Sequence, residues 1–505
     1  MQERKAVIPA GWALLFFVVI TLAAPFYFED GYFNLLQAKA RICDAALGVF
    51  LAGMALHWGW TVATTRALPA LPRLELLDRA MLLFGALALV SCLCADRPAS
   101  ALWGLEGWGV GGFAMAGLAL ACCLLRRFFP YRQNLWLPVM AANLAIFLLT
   151  ILHAAGIDAL GLHRGVVPDQ WFYYLSTIGN RNWYAGYLCL LVPMVAVFYL
   201  TATQTASQWV CLLFLAPACL NLVLCASDSV YLGLGFCLFF ALPFLTANGT
   251  RMGRSFVLMG LCGASLLTVR FLPPFGELAL QVNGLSGRLL HPAIGCTLTA
   301  AGALGTIFLP GLWDRRSPAE KRRLVLLLEA LLILTALGFF AHAVTHFGDK
   351  WGTNRGRTWR YSLELYRSFP MTQKLLGVGP EQLGRYYREL SASFTRPILS
   401  AHSEPIQLLL SNGALGLLSW GTIWGMLFYR SIRQRVWEQD AIAFFLPLTA
   451  YFAQGLVNGP QPLNTALLGL MMACFRIHTE KSPEGLKYRE VSTPPSQERK
   501  LKNEL

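Results

Sequence analysis

Long apolar windows alternate with short polar breaks over nearly the whole chain. The windows run roughly over 10–28, 42–63, 77–95, 108–125, 135–156, 183–201, 208–226, 230–246, 255–272, 292–311, 324–345, 405–429, 441–458 and 462–476. A helix of about 20 apolar residues crosses the ~30 Å hydrocarbon of a bilayer and satisfies its own backbone there. The pattern therefore predicts an all-α fold, a polytopic transmembrane helix bundle of about 14 spans.

The break at 346–404 is far longer than the others, and loops beyond about 15 residues are usually functional or disordered. It divides the chain into an N-terminal bundle over 1–345, a polar loop over 346–404, C-terminal spans over 405–476 and a tail over 477–505. Helical spacing within the loop puts Trp359, Ser362 and Tyr366 on one face. Arg360 and Glu364 fall one turn apart, as do Arg385 and Glu389, and Pro370 ends the first helix. Gly377-Val-Gly379-Pro380 is a turn signal. The loop is thus expected to be partly helical, two short helices lying over the bundle.

Lysine and arginine concentrate in alternate breaks, at Arg66, Arg73, Arg79, Arg126, Arg127, Arg132, Arg251, Arg254, Arg315, Arg316, Lys321, Arg430 and Arg433. Cytoplasmic loops retain positive charge, so both termini are expected inside and 346–404 outside, an extracytoplasmic loop. With 56% apolar and 13% charged residues, an ordinary soluble enzyme is excluded. The net charge of +14 follows largely from topology and calls for no nucleic acid. The basic tail (Lys481, Lys487, Arg489, Arg499, Lys500, Lys502) suits anionic membrane lipid. Most of the 13 cysteines lie in apolar windows, as expected of buried thiols. No spacing suggests a disulfide framework, a metal site or a cofactor fingerprint, and His57 and His153 read as structural.

Candidate chemistry gathers at the ends of the long loop. His402 precedes Ser403 and Glu404, where a helix capped by Ser403 would begin; a positive helix end disfavours imidazolium and leaves a neutral base. Arg355, Arg357 and Arg360 crowd together on the face where positive charge is disfavoured. Guanidinium groups bind phosphate oxygens in pairs and can stabilise a departing diphosphate. Arg181, flanked by Asn180 and Asn182 at a helix entrance, is a further candidate, and Trp359 is placed to stack on a sugar ring. Ion pairing, interfacial snorkelling and aromatic belts are the structural alternatives for these residues.

At these positions the chain resembles the O-antigen ligase and polymerase superfamily. Gly179-Asn180-Arg181-Asn182 resembles that family's helix entrance, and Arg357-x-Trp359 with Gly377-Val-Gly379 resembles its loop signature. His402-Ser403, followed by Gly413 and Gly416, fits the ligase pattern. The resemblance implies a metal-independent, inverting transfer of a glycan from undecaprenyl diphosphate to an acceptor hydroxyl on a glycan, glycolipid or protein. The reaction would lie outside the bacterial cytoplasmic (inner) membrane. By position, the catalytic residues would be His402, as the base or the residue that orients the acceptor, and Arg357, which with Arg181 would contact the diphosphate. Arg181, Arg355, Arg360, Asn180, Asn182, Trp359, Gly377, Gly379, Ser403 and Glu404 would contact substrate. Many members carry a Ser-Arg pair where this chain has Ser227-Asp228-Ser229. A polymerase joining lipid-linked repeat units is the nearest alternative, and a non-enzymatic transporter or flippase of lipid-linked sugars is the alternative of another class.

Overall fold

The computed structural model describes residues 2–66, 74–282, 284–392, 398–438 and 440–476; Arg73 and the basic tail lie outside them. Every expected window holds a helix. Among the described residues nine helices are long and apolar enough to cross a membrane, from Leu35–Thr65 to Pro318–Thr345. Ile8–Ala23, Ile442–Gly455 and Pro462–Cys474 are shorter apolar helices. The chain is therefore a multi-pass membrane protein with an all-α bundle. Its β-structure among the described residues is one pair of two-residue strands, Tyr174–Leu175 with Gly179–Asn180.

One expected window is not a single helix. Across 405–429 the chain forms Glu404–Ser411 and then Gly413–Arg433, broken at Asn412. Gly413 has φ +70°, and a Cβ there would lie 2.3 Å from the backbone of Leu375. The glycine is thus a packing requirement where the polar segment presses on the bundle.

Arg181–Thr201 is the central helix, buried along most of its length. It packs on Thr205–Leu224, Asp228–Leu245 and Ile442–Gly455. Its two buried tyrosines keep polar partners, Tyr184 donating to Asn221 Oδ1 at 2.7 Å and Tyr187 to Asn143 Oδ1 at 2.9 Å. Pro318–Thr345 has no buried residue, so its apolar side chains face outward, as a lipid-facing rim requires.

The described residues of 346–404 pack onto the bundle as a cap. Trp351–Ser368 ends just before Pro370, and Met371–Leu376, Leu383–Tyr386 and Arg388–Ser391 follow. Phe369, Val378, Leu383, Tyr387 and Leu390 form its own small core with Leu410. Gly377 (φ +81°) and Gly379 (φ +95°) shape the turn that docks it. The Val378 and Gly379 N–H groups donate to the carbonyls of Leu410 and Ser411 at 3.0 and 2.9 Å.

A longer connection takes the place of the expected Arg360–Glu364 pair, and the side chain of Glu389 lies outside the described residues. Arg360 pairs with Asp349, and Arg385 donates to Glu106 of the bundle at 2.7 Å. Tertiary partners fix these cations; spacing along a helix does not.

Candidate active site

His402 lies in the turn before Glu404–Ser411 with φ +52°, a backbone conformation that few non-glycine residues adopt. Its own N–H donates to Ser400 Oγ at 3.1 Å, and the preceding Ala401 N–H donates to Gln407 Oε1 at 2.9 Å. Trp359 Nε1 donates to the Ala401 carbonyl at 3.0 Å. The turn is therefore held from both sides, by the helix it begins and by the arginine helix. Ser403 is the N-cap by position, but its side chain makes no capping bond, contrary to the sequence expectation.

The imidazole meets the indole of Trp108 edge to face, centroids 5.4 Å apart. Burial, and then the nearby Arg355 cation, lower the His402 pKa to about 4. The ring is consequently neutral at physiological pH, as a base must be. Desolvation produces this state, and Arg355 reinforces it.

Arg355 is the arginine that turns inward. Gly352, Thr353 and Asn354 all take left-handed conformations just before it, breaking the helix at its entry. Its Nη2 donates to Asn458 Oδ1 at 2.8 Å. Burial, followed by repulsion from Arg181, lowers its pKa to about 10, and Asp228 acts in the opposite direction. Arg355 is thus electrostatically coupled to both His402 and Arg181. Two guanidinium groups that repel one another in this way are suited to an anion, which would offset both charges.

Arg181 opens the central helix beneath the rings of Phe172 and Tyr173, at 4.8 and 5.1 Å. Asn180 caps that helix by accepting from the Asn182 N–H at 2.9 Å. Asn182 Oδ1 accepts from Ser227 at 2.7 Å, and Gln454 donates to the Asn182 carbonyl at 3.0 Å. The asparagines therefore hold Arg181 in position. Arg357 and Arg360 are exposed on the other side of the arginine helix. Gly377 and Gly379 shape the docking turn. Asp228 accepts from the backbone of Leu285 and Ser286 and from the Ser286 hydroxyl, clamping a neighbouring turn.

Glu404 is buried in the wall of an apolar cavity of about 110 Å³ lined also by Met81, Phe84, Met115, Leu408, Trp420 and Trp424. Trp420 Nε1 donates to its Oε1 at 3.2 Å, while Oε2 has no hydrogen-bond partner. Glu404 is two residues from His402 along the chain, so one short turn carries both the cavity wall and the imidazole.

Several residues of this centre escaped sequence-level inspection. Trp108 carries His402 on one side and meets Trp183 at 5.7 Å on the other. Its backbone N–H donates to the buried carboxyl of Glu381. Asn458, Gln454 and Asn464 brace Arg355, Asn182 and Trp183. A signal for the last three existed: polar residues recurring through the final two apolar windows, where each is costly unless used.

Residues 292–421 match the family model described as O-antigen ligase. The matched stretch covers about a quarter of the chain and contains both Arg355 and His402. No curated protein matches the chain. Over residues 292–421, then, this multi-pass membrane protein is similar to the O-antigen ligase family.

Proposed function

We propose that the protein transfers a glycan from undecaprenyl diphosphate to an acceptor hydroxyl, with inversion, at the outer face of a bacterial cytoplasmic membrane. The observation that carries this reading is the neutral, partly buried His402 near Arg355, itself coupled to Arg181. A base and a bed of guanidinium groups are what displacement of a diphosphate needs. The acceptor oxygen attacks the anomeric carbon and the bond from that carbon to the diphosphate oxygen breaks. The acceptor proton passes to His402, and the charge gathering on the diphosphate is met by Arg355 and Arg181. The apolar cavity walled in part by Glu404 supports a lipid-linked substrate, since an isoprenoid or acyl chain fills such a slot without a desolvation cost.

The test uses purified protein in liposomes, a lipid-linked glycan donor and a panel of acceptors. Transfer of glycan with release of the polyprenyl diphosphate is expected, and His402→Ala retains donor binding while losing turnover by about 100-fold or more. Transfer to a second lipid-linked unit alone identifies a polymerase. Passage of the donor across the bilayer with no glycan reaching any acceptor overturns the transferase reading.

A further inference from the structure

Behind Arg181 the fold assembles a second cluster, unrelated to the base. His153 ends the helix Trp136–Ala154, and Asp158 and His163 lie in the connection that follows. One nitrogen of each imidazole and a carboxylate oxygen lie within 4.8 Å of one another. The histidine side chains are 1% and 2% exposed, yet His153 Nε2 and His163 Nδ1 make no hydrogen bond. Both atoms point at Asp158, at 3.5 Å from Oδ1 and 3.7 Å from Oδ2. Such unpartnered buried polar atoms are costly unless something completes them.

Proton placement narrows what that is. His163 Nε2 faces the carbonyls of Trp171 and Tyr174 at 3.2 and 3.3 Å, which only accept, so this nitrogen carries the proton. Nδ1 of the neutral ring is then a lone pair aimed at a carboxylate. A bridging proton would draw nitrogen and oxygen to within about 2.9 Å, whereas these pairs stand wider. Around a tetrahedral ion with bonds of about 2.0–2.1 Å, ligand atoms are roughly 3.3 Å apart, so a small inward rotation of these side chains, now within 4.8 Å of one another, brings them to that spacing.

We propose that His153 Nε2, Asp158 and His163 Nδ1 bind a divalent first-row cation, Zn²⁺ foremost. Two imidazoles and a carboxylate are the donor set this ion favours. The outer partners are already in place. Asp158 accepts from the backbone N–H groups of Leu162 and His163 at 2.9 and 2.8 Å. The Ser176 N–H donates to His153 Nδ1 at 3.0 Å, and Tyr32 Oη, which donates to the Ser176 carbonyl at 2.6 Å, stands 3.1 Å from the same nitrogen, so without an ion the His153 proton sits on Nε2. Metal loading shifts that proton to Nδ1, where Tyr32 Oη accepts it at the cost of the Ser176 N–H bond, and frees the Nε2 lone pair for the ion. The ion fastens the end of one helix to the loop whose Phe172 and Tyr173 lie against Arg181. Its role is to position that arginine, with the chemistry of transfer left to His402.

Full-length protein purified without a histidine tag is loaded with Zn²⁺, dialysed and assayed for bound metal, and separately loaded with Co²⁺ for its visible spectrum. One ion per chain is expected, with cobalt bands of a four-coordinate nitrogen and oxygen site. His163→Ala and Asp158→Asn weaken binding at least tenfold, and Zn²⁺ raises the melting temperature of the wild type alone. Absence of stoichiometric metal, a thiolate charge-transfer band from one of the cysteines, or equal affinity in folded variants overturns the proposal. If the variants fail to fold, the stoichiometry and cobalt spectrum of the wild type decide it.

Discussion

Arg355 donates to Asn458 Oδ1 at 2.8 Å, joining the arginine helix to the chain just after the helix Ile442–Gly455. The two residues are 103 positions apart in sequence. A hydrogen bond from a charged, buried donor contributes about 1.5–3 kcal/mol and fixes direction as well as energy.

This bond sets the inward arginine apart from its neighbours. Arg355→Ala is expected to lower kcat/KM by about 100-fold or more, as loss of a group stabilising developing charge does. Arg357→Ala, at an exposed position, should stay within a few-fold of wild type. Asn458→Ala should fall between them. Steady-state kinetics of the three variants check the order, and a larger loss for Arg357→Ala would move the catalytic assignment outward.

The pH profile offers a second test. With its pKa near 4, His402 stays a free base down to mildly acid pH, so the acid limb of kcat/KM is expected near pH 4. Arg355→Gln removes a neighbouring cation and should move the limb upward. The move is only partial, because burial, the larger cause, remains. A midpoint near 7 would report instead the buried carboxyls of Glu381 or Glu404, both raised to about 7 by burial.

Glu381 gives a stability test. Its folded pKa, about 7, exceeds its ordinary value of 4.5, so the native state binds the proton more tightly. Its contribution is full at low pH and is lost as pH rises through the interval between those values. Glu381→Gln keeps an acceptor for the Trp108 N–H and removes the titration. Melting temperatures at pH 5 and pH 8 should therefore show wild type losing more than the variant on going to pH 8, by roughly 1–3 kcal/mol. His402 titrates in the opposite sense and cancels in the comparison.

The docking turn should be intolerant of side chains. A Cβ on Gly377 would lie 2.2 Å from the Ser411 carbonyl oxygen, at φ +81°. Gly377→Ala is expected to destabilise by about 2 kcal/mol or more, since strained φ and a backbone clash add. Gly421→Ala, with nothing within 4 Å, should be neutral or stabilising by up to about 1 kcal/mol. Thermal melts of the two variants in one detergent make the comparison.

The sequence by itself determined the helical bundle, and it singled out the long polar segment and His402 as the candidates to inspect. Each rests on local physics: the length of an apolar run, the conformation before a proline, the cost of a cation on the wrong face of a membrane. Arg355 and Arg357 carry the same chemistry two positions apart, so composition could not choose between them. The left-handed turn at Gly352 to Asn354 and the hold of Asn458 made that choice. Trp108, Glu381 and the grouping of His153 with Asp158 and His163 likewise depend on contacts between distant segments. Tertiary structure decided them because burial and neighbouring charge set how a side chain behaves, and both exist only once the helices have packed.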